Sequence, residues 1–498
     1  MKKIKIIIYG NALFVILLTL YLFFIPGLLV LNNISDPALQ EGKIPAEAWR
    51  LHKHITPLYA KYAKKRIASK VAGRVDYRNV PATEWPLFGS VFYLWATENL
   101  QEEWEKGNHS YSETEPAVYA KDTIEACREL LMDPVHHTWV KTHWGDNYMH
   151  TQNVFFRSLI IAGLTSYEKL TKSGRYIPLL KDQCNTLAAE LDRSPHGILY
   201  DYPGECYPID VFAAVAWIKK ADTVTGLDHS DFFKHELRAF RPPYLDDHGM
   251  IPWLVDPVTG KQYSKESRGI INSHVLTFAP DIYPEQAEEW YRLFEKYFWQ
   301  KKWYGEGWRE FYKDSPGGEW TFDIDSGPII GGFSPAANAF GFAAAERNGR
   351  IDHAYLLGTQ VLASSWPLPN GSLLLPKLLS EGNAPYLGEC GILWQLSVTP
   401  PENIKIVKPE TLHWAGGVTL ALIFYFGTSI LLFFSSFMQI KKIAKVAKYQ
   451  YTEIQFKIWC ILMITGAVLV ILNYTFGLLI ALLAVFLPKF RIKDDNTG

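Results

Sequence analysis

Residues 317–346 read GGEWTFDIDSGPIIGGFSPAANAFGFAAAE and decide how we interpret the rest of the chain. The first part carries three acids, Glu319, Asp323 and Asp325, among aromatic residues. After a turn at 326–328, the Ala- and Gly-rich remainder predicts a helix that packs closely against its neighbours. The dipole and free N–H groups at the start of a helix favour negative charge. The acids could therefore cap a buried helix or line the rim of a pocket.

Composition excludes some classes of function. The 498 residues contain 50 Lys and Arg against 51 Asp and Glu, so the chain has no basic field to attract nucleic acid. Aromatic residues make up 14% of the chain and include 17 Trp. Such a content suits a cleft that stacks flat or apolar ligands, and it equally suits a thick core of packed helices.

Two apolar runs predict membrane spans. Residues 6–31 follow Lys2, Lys3 and Lys5 and lack a clear cleavage site, which indicates an uncleaved signal anchor. Residues 415–438 precede a Lys-rich segment, which the positive-inside rule puts in the cytoplasm. We therefore expect a multi-pass protein of the cell membrane whose main domain is extracytoplasmic.

The last apolar run, 458–487, allows two topologies. It could be one tilted helix, or a hairpin of two short arms that turns at Asn473 and Tyr474. The sequence thus predicts these segments: a signal anchor at 1–32, an extracytoplasmic domain at 33–412, a transmembrane helix at 413–439, a Lys-rich cytoplasmic loop at 440–457, a transmembrane helix or hairpin at 458–488, and a tail at 489–498.

The extracytoplasmic domain is predicted to be all-α. Helical patterns recur at 46–70, 84–106, 117–132, 147–170, 176–192, 208–225, 230–238, 285–299, 335–348, 352–364 and 385–397. Apolar, small-residue helices alternate with charged amphipathic ones, as in a toroid with an inner and an outer ring. We expect an (α/α)6 barrel flanked by transmembrane helices. A solenoid is the alternative, but no fixed sequence period supports it, and only residues 373–375 suggest a short strand.

Polar residues concentrate in the loops that precede the apolar helices. In a toroid these loops share one end, so we expect their side chains to meet in one pocket. The candidate catalytic residues are Asp146, Glu205, Cys206, Asp323, Asp325 and Glu389. The candidate substrate-binding residues are His143, Trp144, Tyr148, His150, Tyr207, Trp308, Trp320 and Cys390.

These residue types favour acid–base chemistry. Trp and Tyr neighbours would desolvate carboxyl groups and raise their pKa, which makes them proton donors. Cys206 could act as a thiol acid, base or nucleophile, or it could simply be a small buried side chain. No zinc, calcium, phosphate-loop or nucleophile-elbow motif occurs, so the sequence indicates neither a metal nor a cofactor. Cys460 lies in a predicted membrane span, and the four cysteines of the outer domain are too widely spread to suggest a disulfide framework, so we expect most of them to be free or buried.

Two short motifs give a family resemblance. Gly145-Asp146-Asn147 leading into a helix, and Cys206-Tyr207-Pro208 followed by Phe212, resemble linalool dehydratase/isomerase and its relatives over about residues 75–400. The resemblance implies an (α/α)6 barrel and cofactor-free acid–base chemistry by an Asp, a Tyr, a His and two Cys. This chemistry dehydrates a tertiary allylic alcohol and isomerises it to a primary one.

The same resemblance assigns particular residues. It would match Asp146 to the family's Asp and Cys206 to its first Cys. The second family Cys should follow within the next helix, where residues 211–217 contain none. Either Cys390, from another loop, replaces it, or the hydration chemistry is absent. The membrane spans also distinguish this chain from the soluble enzyme.

Two other classes of function fit the same features. A carbohydrate-active enzyme of the (α/α)6 class (a glycoside hydrolase, polysaccharide lyase or epimerase) would use paired acids and a Trp-rich rim. A non-catalytic envelope protein could bind a lipid, a glycan or a partner. The expected partners are accordingly a small-molecule or glycan substrate and the lipid bilayer, without nucleic acid.

Overall fold

The structure is a computed structural model that describes residues 2–263, 266–316, 318–380, 382–442, 453–471 and 476–486. Its first helices are α1 (Lys2–Thr19), α2 (Ile25–Ile34), α3 (Ala38–Glu41), α4 (Ala46–Ser69), α5 (Val80–Thr83), α6 (Trp85–Glu105), α7 (Pro116–Tyr119), α8 (Lys121–Leu131), α9 (Thr138–Trp144), α10 (Val154–Thr171) and α11 (Ile177–Arg193). One π-helical turn, Leu20–Phe24, joins α1 to α2, and 3₁₀ turns occupy Val71–Arg74 and Leu237–Phe240.

The remaining helices are α12 (Pro208–Thr225), α13 (Ser230–Glu236), α14 (Gly269–Ile282), α15 (Pro284–Phe298), α16 (Pro335–Arg347), α17 (Ile351–Ser364), α18 (Leu374–Leu379), α19 (Leu387–Ser397), α20 (Gly416–Lys442), α21 (Glu453–Ile471) and α22 (Phe476–Phe486). Short strands β1 (Trp299–Lys302) and β2 (Gly305–Trp308) form one antiparallel hairpin. Strands β3 (Trp320–Asp323) and β4 (Gly327–Ile330) form another.

The chain divides into two units. One comprises Met1–Leu29 and Ala421–Gly498, and the other is Val30–Leu420. Among the described residues, Lys5–Glu41 and Gly416–Lys441 form helices that are long and apolar enough to cross a membrane.

In the first unit, the ring of Trp459 packs with Ile7 and Ala484, and its Nε1 donates a hydrogen bond to Asn11 Oδ1 at 2.7 Å. Helices α21 and α22 pack against each other, so closely that a Cβ on Gly466 would lie 2.7 Å from that of Ala481. The chain between these two helices, most of the predicted Lys-rich loop and the predicted tail lie outside the described residues.

The second unit confirms the prediction of a mostly helical domain. Its apolar helices contact one another in sequence: α6 with α10, α10 with α12, α12 with α14, α14 with α16, α16 with α19, and α19 with α6. Amphipathic helices pack against them, among them α8 on α6, α11 on α10 and α12, α15 on α14, and α17 on α16.

Small residues allow these helices to approach closely. A Cβ on Gly341 of α16 would lie 2.1 Å from Cδ1 of Trp308, so only Gly fits beneath that buried indole. A Cβ on Gly163 of α10 would lie 2.4 Å from Leu131 of α8. The Ala- and Gly-rich stretches of the sequence therefore serve dense packing between helices.

The structure corrects several local predictions. Residues 326–328 do not lead into a helix, because β4 follows; the helix begins at Pro335, where Ser334 Oγ accepts a hydrogen bond from the Ala337 N–H. Both hairpins and α14 are absent from the prediction, and α10 begins at Val154 rather than near 147. Leu373 does form an isolated bridge, with Pro367.

Candidate functional site

Three acids come from separate parts of the second unit, and the charges of two of them, Asp210 and Asp325, affect the ionisation of their neighbours in the group. Glu84 immediately precedes α6, Asp210 lies in the first turn of α12, and Asp325 lies in the turn between β3 and β4. Burial, with added repulsion from Asp210 and Asp325, raises the pKa of Glu84 to about 8. Burial, with repulsion from Asp325, raises that of Asp210 to about 7. These residues form the acid cluster, and near neutral pH it holds protons that ordinary carboxyl groups release.

Asp325 is the most open member of the acid cluster. Partial desolvation by neighbouring protein atoms, together with repulsion from Asp323, raises the pKa of its carboxyl, and the positive charge of Arg268 opposes that rise. Its side chain remains exposed, whereas Glu84 is only 8% exposed. The cluster therefore combines carboxyl groups that keep their protons near neutral pH with a carboxylate that solvent can reach.

Residues 201–207 form a tight turn that brings further polar groups to the acid cluster. Tyr202 donates a hydrogen bond from its hydroxyl to Glu84 Oε1 at 2.8 Å. Tyr207 donates from its hydroxyl to Glu205 Oε2 at 3.0 Å, and its backbone N–H donates to Asp201 Oδ2. Burial and the charge of Asp210 raise the pKa of Asp201 well above its usual range. Hydroxyl donors thus reach the carboxyl groups from one short segment.

Cys206 lies inside this turn and is fully buried. Burial first, and then the charges of Asp201 and Asp210, raise the pKa of its thiol well above the usual range. The thiol therefore keeps its proton and is suited to donating a hydrogen bond, but it is too weak an acid to transfer that proton readily. Because a nucleophilic cysteine needs the thiolate, these surroundings do not favour that role.

Arg268, the residue before α14, anchors the hairpin that carries Asp325. Its Nη2 lies 2.8 Å from Ser326 Oγ and 2.9 Å from Asp323 Oδ1, and its Nε donates to Glu310 at 2.8 Å. Burial of the Asp323 carboxyl works against its ionisation, but the hydrogen bond and charge of Arg268 prevail and lower its pKa. The hairpin turn is thereby held to the start of an apolar helix.

Aromatic rings continue from the acid cluster into the unit. Tyr202 stacks on Phe155 of α10 with ring centroids 5.6 Å apart, and Phe155 lies 5.3 Å from Phe88 of α6. One turn further along α6, Phe92 contacts Phe340 of α16 at 6.2 Å. The rings come from several apolar helices and form an aromatic interior below the carboxyl groups.

His274 of α14 is the polar residue of this aromatic interior. Its ring lies 5.0 Å from Phe278, 5.1 Å from Phe340 and 6.2 Å from Trp394. Desolvation by the surrounding protein lowers its pKa to about 4, although the ring keeps some accessible surface, so the imidazole is neutral at physiological pH. His274 follows Arg268 by six residues. At a rise of about 1.5 Å per residue, it lies roughly 9 Å further along the axis of α14.

Three side chains on the apolar helices keep part of their surface accessible, which indicates space around His274. His274, Phe340 and Asp210 are only half-buried, although they lie on apolar helices that other helices cover. Within the described residues, no side chain or backbone group forms a hydrogen bond with the imidazole of His274. A neutral imidazole there can donate to, or accept from, a ligand hydroxyl.

Several residues that the sequence selects meet at the acid cluster. They are His143, Glu205, Cys206, Tyr207, Asp323 and Asp325. The ring of His143 lies 6.0 Å from that of Tyr202, and burial, opposed by Glu205, lowers its pKa.

Other selected residues on the 143–150 segment are directed elsewhere. The Asp146 side chain is fully exposed and lies 3.8 Å from Lys141 Nζ. Nε2 of His150 lies 2.8 Å from Asp182, and the Tyr148 hydroxyl lies 2.9 Å from Nδ1 of His137. Trp144 ends α9 and is half-buried. No contact between described residues connects Asp146 with the acid cluster.

Glu389, Cys390, Trp308 and Trp320 also lie apart from the acid cluster. Glu389 is buried and accepts a hydrogen bond from the Leu373 N–H at 2.8 Å; burial raises its pKa to about 7. Cys390 is buried, and the pKa of its thiol is raised by burial and then by neighbouring Cys127. Trp308 is a core side chain, whereas Trp320 is 71% exposed. All five cysteines are free.

Sequence reasoning overlooked several members of this site. They are Glu84, Asp201, Tyr202, Asp210, Arg268 and His274. Glu84, Asp210 and Arg268 share one signal, because each is a charged residue at the start of an apolar helix. His274 gives no comparable signal, since its helix was not predicted.

A large surface cleft of about 1260 Å³ lies elsewhere, lined by α4, α8 and the loop between α6 and α7. Its charged lining residues, such as Lys61, Lys64 and Asp122, are solvated side chains on an open face. Within the described ranges, His, Cys, Asp and Glu side chains form no group of three that could hold a metal ion. We therefore take the acid cluster and the aromatic interior as the candidate site. Compared with known proteins, the chain matches no family model and no curated sequence.

Proposed function

We propose that this protein is a membrane-anchored enzyme that removes or relocates the hydroxyl group of an apolar alcohol by acid–base catalysis. The observation that carries the proposal is the acid cluster, Glu84, Asp210 and Asp325, at the edge of an aromatic interior that contains His274. The proposed reaction is the lyase and isomerase chemistry that the resemblance to linalool dehydratase/isomerase implies. The acidic residues proposed to carry it here are those of the acid cluster, not Asp146, which the resemblance selects.

An (α/α)6 barrel is the architecture that we propose for the second unit. The successive contacts of α6, α10, α12, α14, α16 and α19, which return to α6, support an inner ring. The amphipathic helices α8, α11, α15 and α17 would belong to the outer ring. Glu84, Asp210 and Arg268 all lie at N-terminal ends of the proposed inner helices, so one end of the barrel would carry the chemistry.

Glu84 would be the proton donor. With a pKa of about 8 it is mostly protonated at neutral pH, so it can transfer a proton to the substrate hydroxyl, which leaves as water. Asp325 would be the base that accepts a proton from the neighbouring carbon while the double bond forms. Proton exchange through the carboxyl of Asp210 would then restore both groups. The substrate loses one proton and one hydroxide ion, and no electron is transferred.

Asp146, which the resemblance matches to the family's acidic residue, would have no direct part because its side chain is fully exposed. Cys206 fits a hydrogen-bonding role, since its thiol is buried beside Asp201 and Asp210 and keeps its proton. The interior of Phe, Trp and His side chains would bind a hydrocarbon body and orient its hydroxyl, because apolar rings gain most from burying apolar surface.

Membrane placement follows from the two long apolar helices. We propose that Lys5–Glu41 and Gly416–Lys441 both span the membrane and that the second unit is extracytoplasmic. Lys2, Lys3 and Lys5 at the N-terminus, and the lysines that follow residue 440, would stay in the cytoplasm. An enzyme anchored in this way would meet substrates that partition into lipid.

The test is alkene release by purified full-length protein from a panel of tertiary and primary allylic alcohols. We expect turnover by the wild type and a loss of at least about a hundredfold for Glu84→Gln and Asp210→Asn, the lower end of the usual range for general acid–base catalysis. Glu288→Gln, on the exposed face of α15, is the control and should be fully active. Equal rates for Glu84→Gln, Asp210→Asn and the wild type would contradict the proposal.

A carbohydrate-active enzyme is the second candidate. It is favoured by the rings beside the acid cluster: Tyr207 and Trp253 lie 5.0 Å apart, and Trp253 stacks against Arg268 at 4.4 Å. Sugar rings stack on such side chains, and paired carboxyl groups hydrolyse glycosides. Against it stands the apolar character of the interior, which offers few hydrogen-bonding groups to a glycan.

A further inference from the structure

The β3–β4 hairpin presents an apolar face to solvent. Trp320, Phe322 and Ile330 are 71%, 73% and 52% exposed. Trp320 pairs with Ile330, and Phe322 pairs with Pro328. Because side chains alternate along a strand and paired residues share a side, these four form one face. Ile324, in the turn, is 54% exposed and extends it.

On the opposite face of the hairpin Thr321 is exposed, but Asp323 and Ile329 turn toward the protein. Ile329 is only 1% exposed, and Asp323 is ion-paired with buried Arg268 at 2.9 Å. On β3 this register therefore turns the charged side chain inward and both aromatic ones outward, against the usual pattern of a water-exposed strand. A contiguous exposed apolar face marks a surface that contacts something other than water.

The apolar face lies beside the start of the long helix α20. Lys302 Nζ donates a hydrogen bond to the Gly331 carbonyl at 2.7 Å, which joins the β1–β2 turn to the hairpin. A Cβ on Gly416, the first residue of α20, would lie 2.0 Å from the Trp303 carbonyl oxygen. Trp303 itself is 78% exposed.

We infer that Trp303, Trp320, Phe322, Ile324 and Ile330 dock on the surface of the lipid bilayer that α20 enters. A bilayer is the occupant that suits this face, because the neighbouring helix is long and apolar enough to cross one. Exposed Trp residues are typical of the membrane–water interface. The five side chains also include no charge that a partner protein would pair with.

Docking would have a consequence for the candidate site. The turn that carries Ile324 on the outer face also carries Asp325 of the acid cluster. The bilayer surface would then lie next to the acid cluster, and an apolar alcohol dissolved in lipid could reach it without crossing water. This inference rests on the membrane placement of α20 proposed above, but not on the chemistry at the acid cluster.

The experiment places an environment-sensitive label at single cysteines of the full-length chain. The background is Cys460→Ser, because the other four native cysteines are buried. Phe322→Cys and Trp303→Cys report on the face, Val258→Cys (65% exposed) is the control on the same unit, and Ile430→Cys (66% exposed) reports on α20. Each is labelled with nitrobenzoxadiazole in vesicles of phosphatidylcholine and phosphatidylglycerol. Quenching by nitroxide lipids is then compared with quenching by aqueous iodide.

We expect labels at 322 and 303 to show blue-shifted emission and to lose intensity to a shallow nitroxide lipid, not to iodide. The label at 258 should behave in the opposite way. If 430 is quenched by a deep nitroxide lipid while iodide quenches 322 and 303, the docking inference is wrong and the membrane span stands. If iodide also quenches 430, the span itself is wrong. If neither quencher reaches 322 until the protein is diluted, a second copy covers the face and the inference again fails.

Discussion

Replacing Glu84 with Gln should change how the stability of the protein depends on pH. The variant removes the titrating group but keeps an oxygen that can accept the Tyr202 hydrogen bond. Burial and the charges of Asp210 and Asp325 raise the pKa of Glu84 from 4.5 to about 8. At about 1.4 kcal/mol for each pKa unit, that difference is about 5 kcal/mol.

The sign follows from where the proton is held. Between pH 4.5 and about 8 the folded protein keeps a proton on Glu84 that the unfolded chain has released. The wild type therefore loses stability as the pH rises through this window, and above it the buried carboxylate exerts its full cost. The Gln side chain does not titrate, so the variant does not lose stability through ionisation at position 84 as the pH rises.

This difference in stability is large enough to measure as a shift in melting temperature. For the roughly 390 residues of Val30–Leu420, an unfolding entropy of about 0.8 kcal/mol per kelvin converts 5 kcal/mol into about 6 °C. Detergent-solubilised full-length protein is melted from about pH 4.5 to about pH 9, and the Tm of the wild type is subtracted from that of Glu84→Gln. We expect a difference near zero at the acid end that grows to about 6 °C.

The matched control is Glu288→Gln, which alters an exposed carboxyl on α15. Its Tm should follow that of the wild type at every pH. A Tm difference for Glu84→Gln that stays constant across the range would refute the reasoning, because it would mean that Glu84 ionises as an ordinary surface acid does.

Three further predictions address the substrate, the thiol and the topology. His274→Phe should fold normally and lower kcat/KM at least tenfold, since one hydrogen bond to a ligand is worth about 1.5 kcal/mol; an unchanged kcat/KM would remove His274 from the site. Cys206→Ala should abolish turnover of an alcohol while leaving the melting curve nearly intact. Near-normal activity of this variant on a glycan would instead favour the carbohydrate-active enzyme. Protease added to intact spheroplasts should cleave the second unit around residues 226–265, and complete protection there would contradict an extracytoplasmic domain.

The sequence predicted the helical character of the second unit because period-3.6 patterns extend over whole helices. It did not predict α14, whose sequence GIINSHVLTFAPDI contains β-branched residues, an Asn and a Pro that disfavour helix locally. Packing against α12, α15 and α16 overrides those propensities. Tertiary contacts of this kind cannot be deduced from one segment.

The two hairpins were overlooked for another reason. Their strands have four residues each, and Gly305, Gly307, Gly327 and Pro328 give them the composition of loops. On β3, moreover, the apolar residues face outward, so the usual inference from alternation would have assigned the wrong face to the core.

The candidate site was only partly visible in the sequence. Cys206 and Asp325 stood out because aromatic residues and short motifs surround them. Glu84 and Asp210 did not, since an acid at the start of a helix is ordinary, and their raised pKa values arise from neighbours distant in sequence. Asp146 attracted attention through a motif, yet its side chain lies in solvent.

Exchange of the alcohol oxygen with solvent tests the proposed chemistry most directly. If the acid cluster expels the hydroxyl as water and the step reverses, an allylic alcohol incubated with the full-length protein in ¹⁸O-labelled water should acquire the label. The label is read by mass spectrometry of the recovered alcohol. We expect exchange with the wild type and with Glu288→Gln, and its loss with Glu84→Gln and Asp210→Asn. Exchange that persists in both carboxyl variants, or that never occurs with the wild type across the panel of alcohols, would contradict acid–base dehydration at this site.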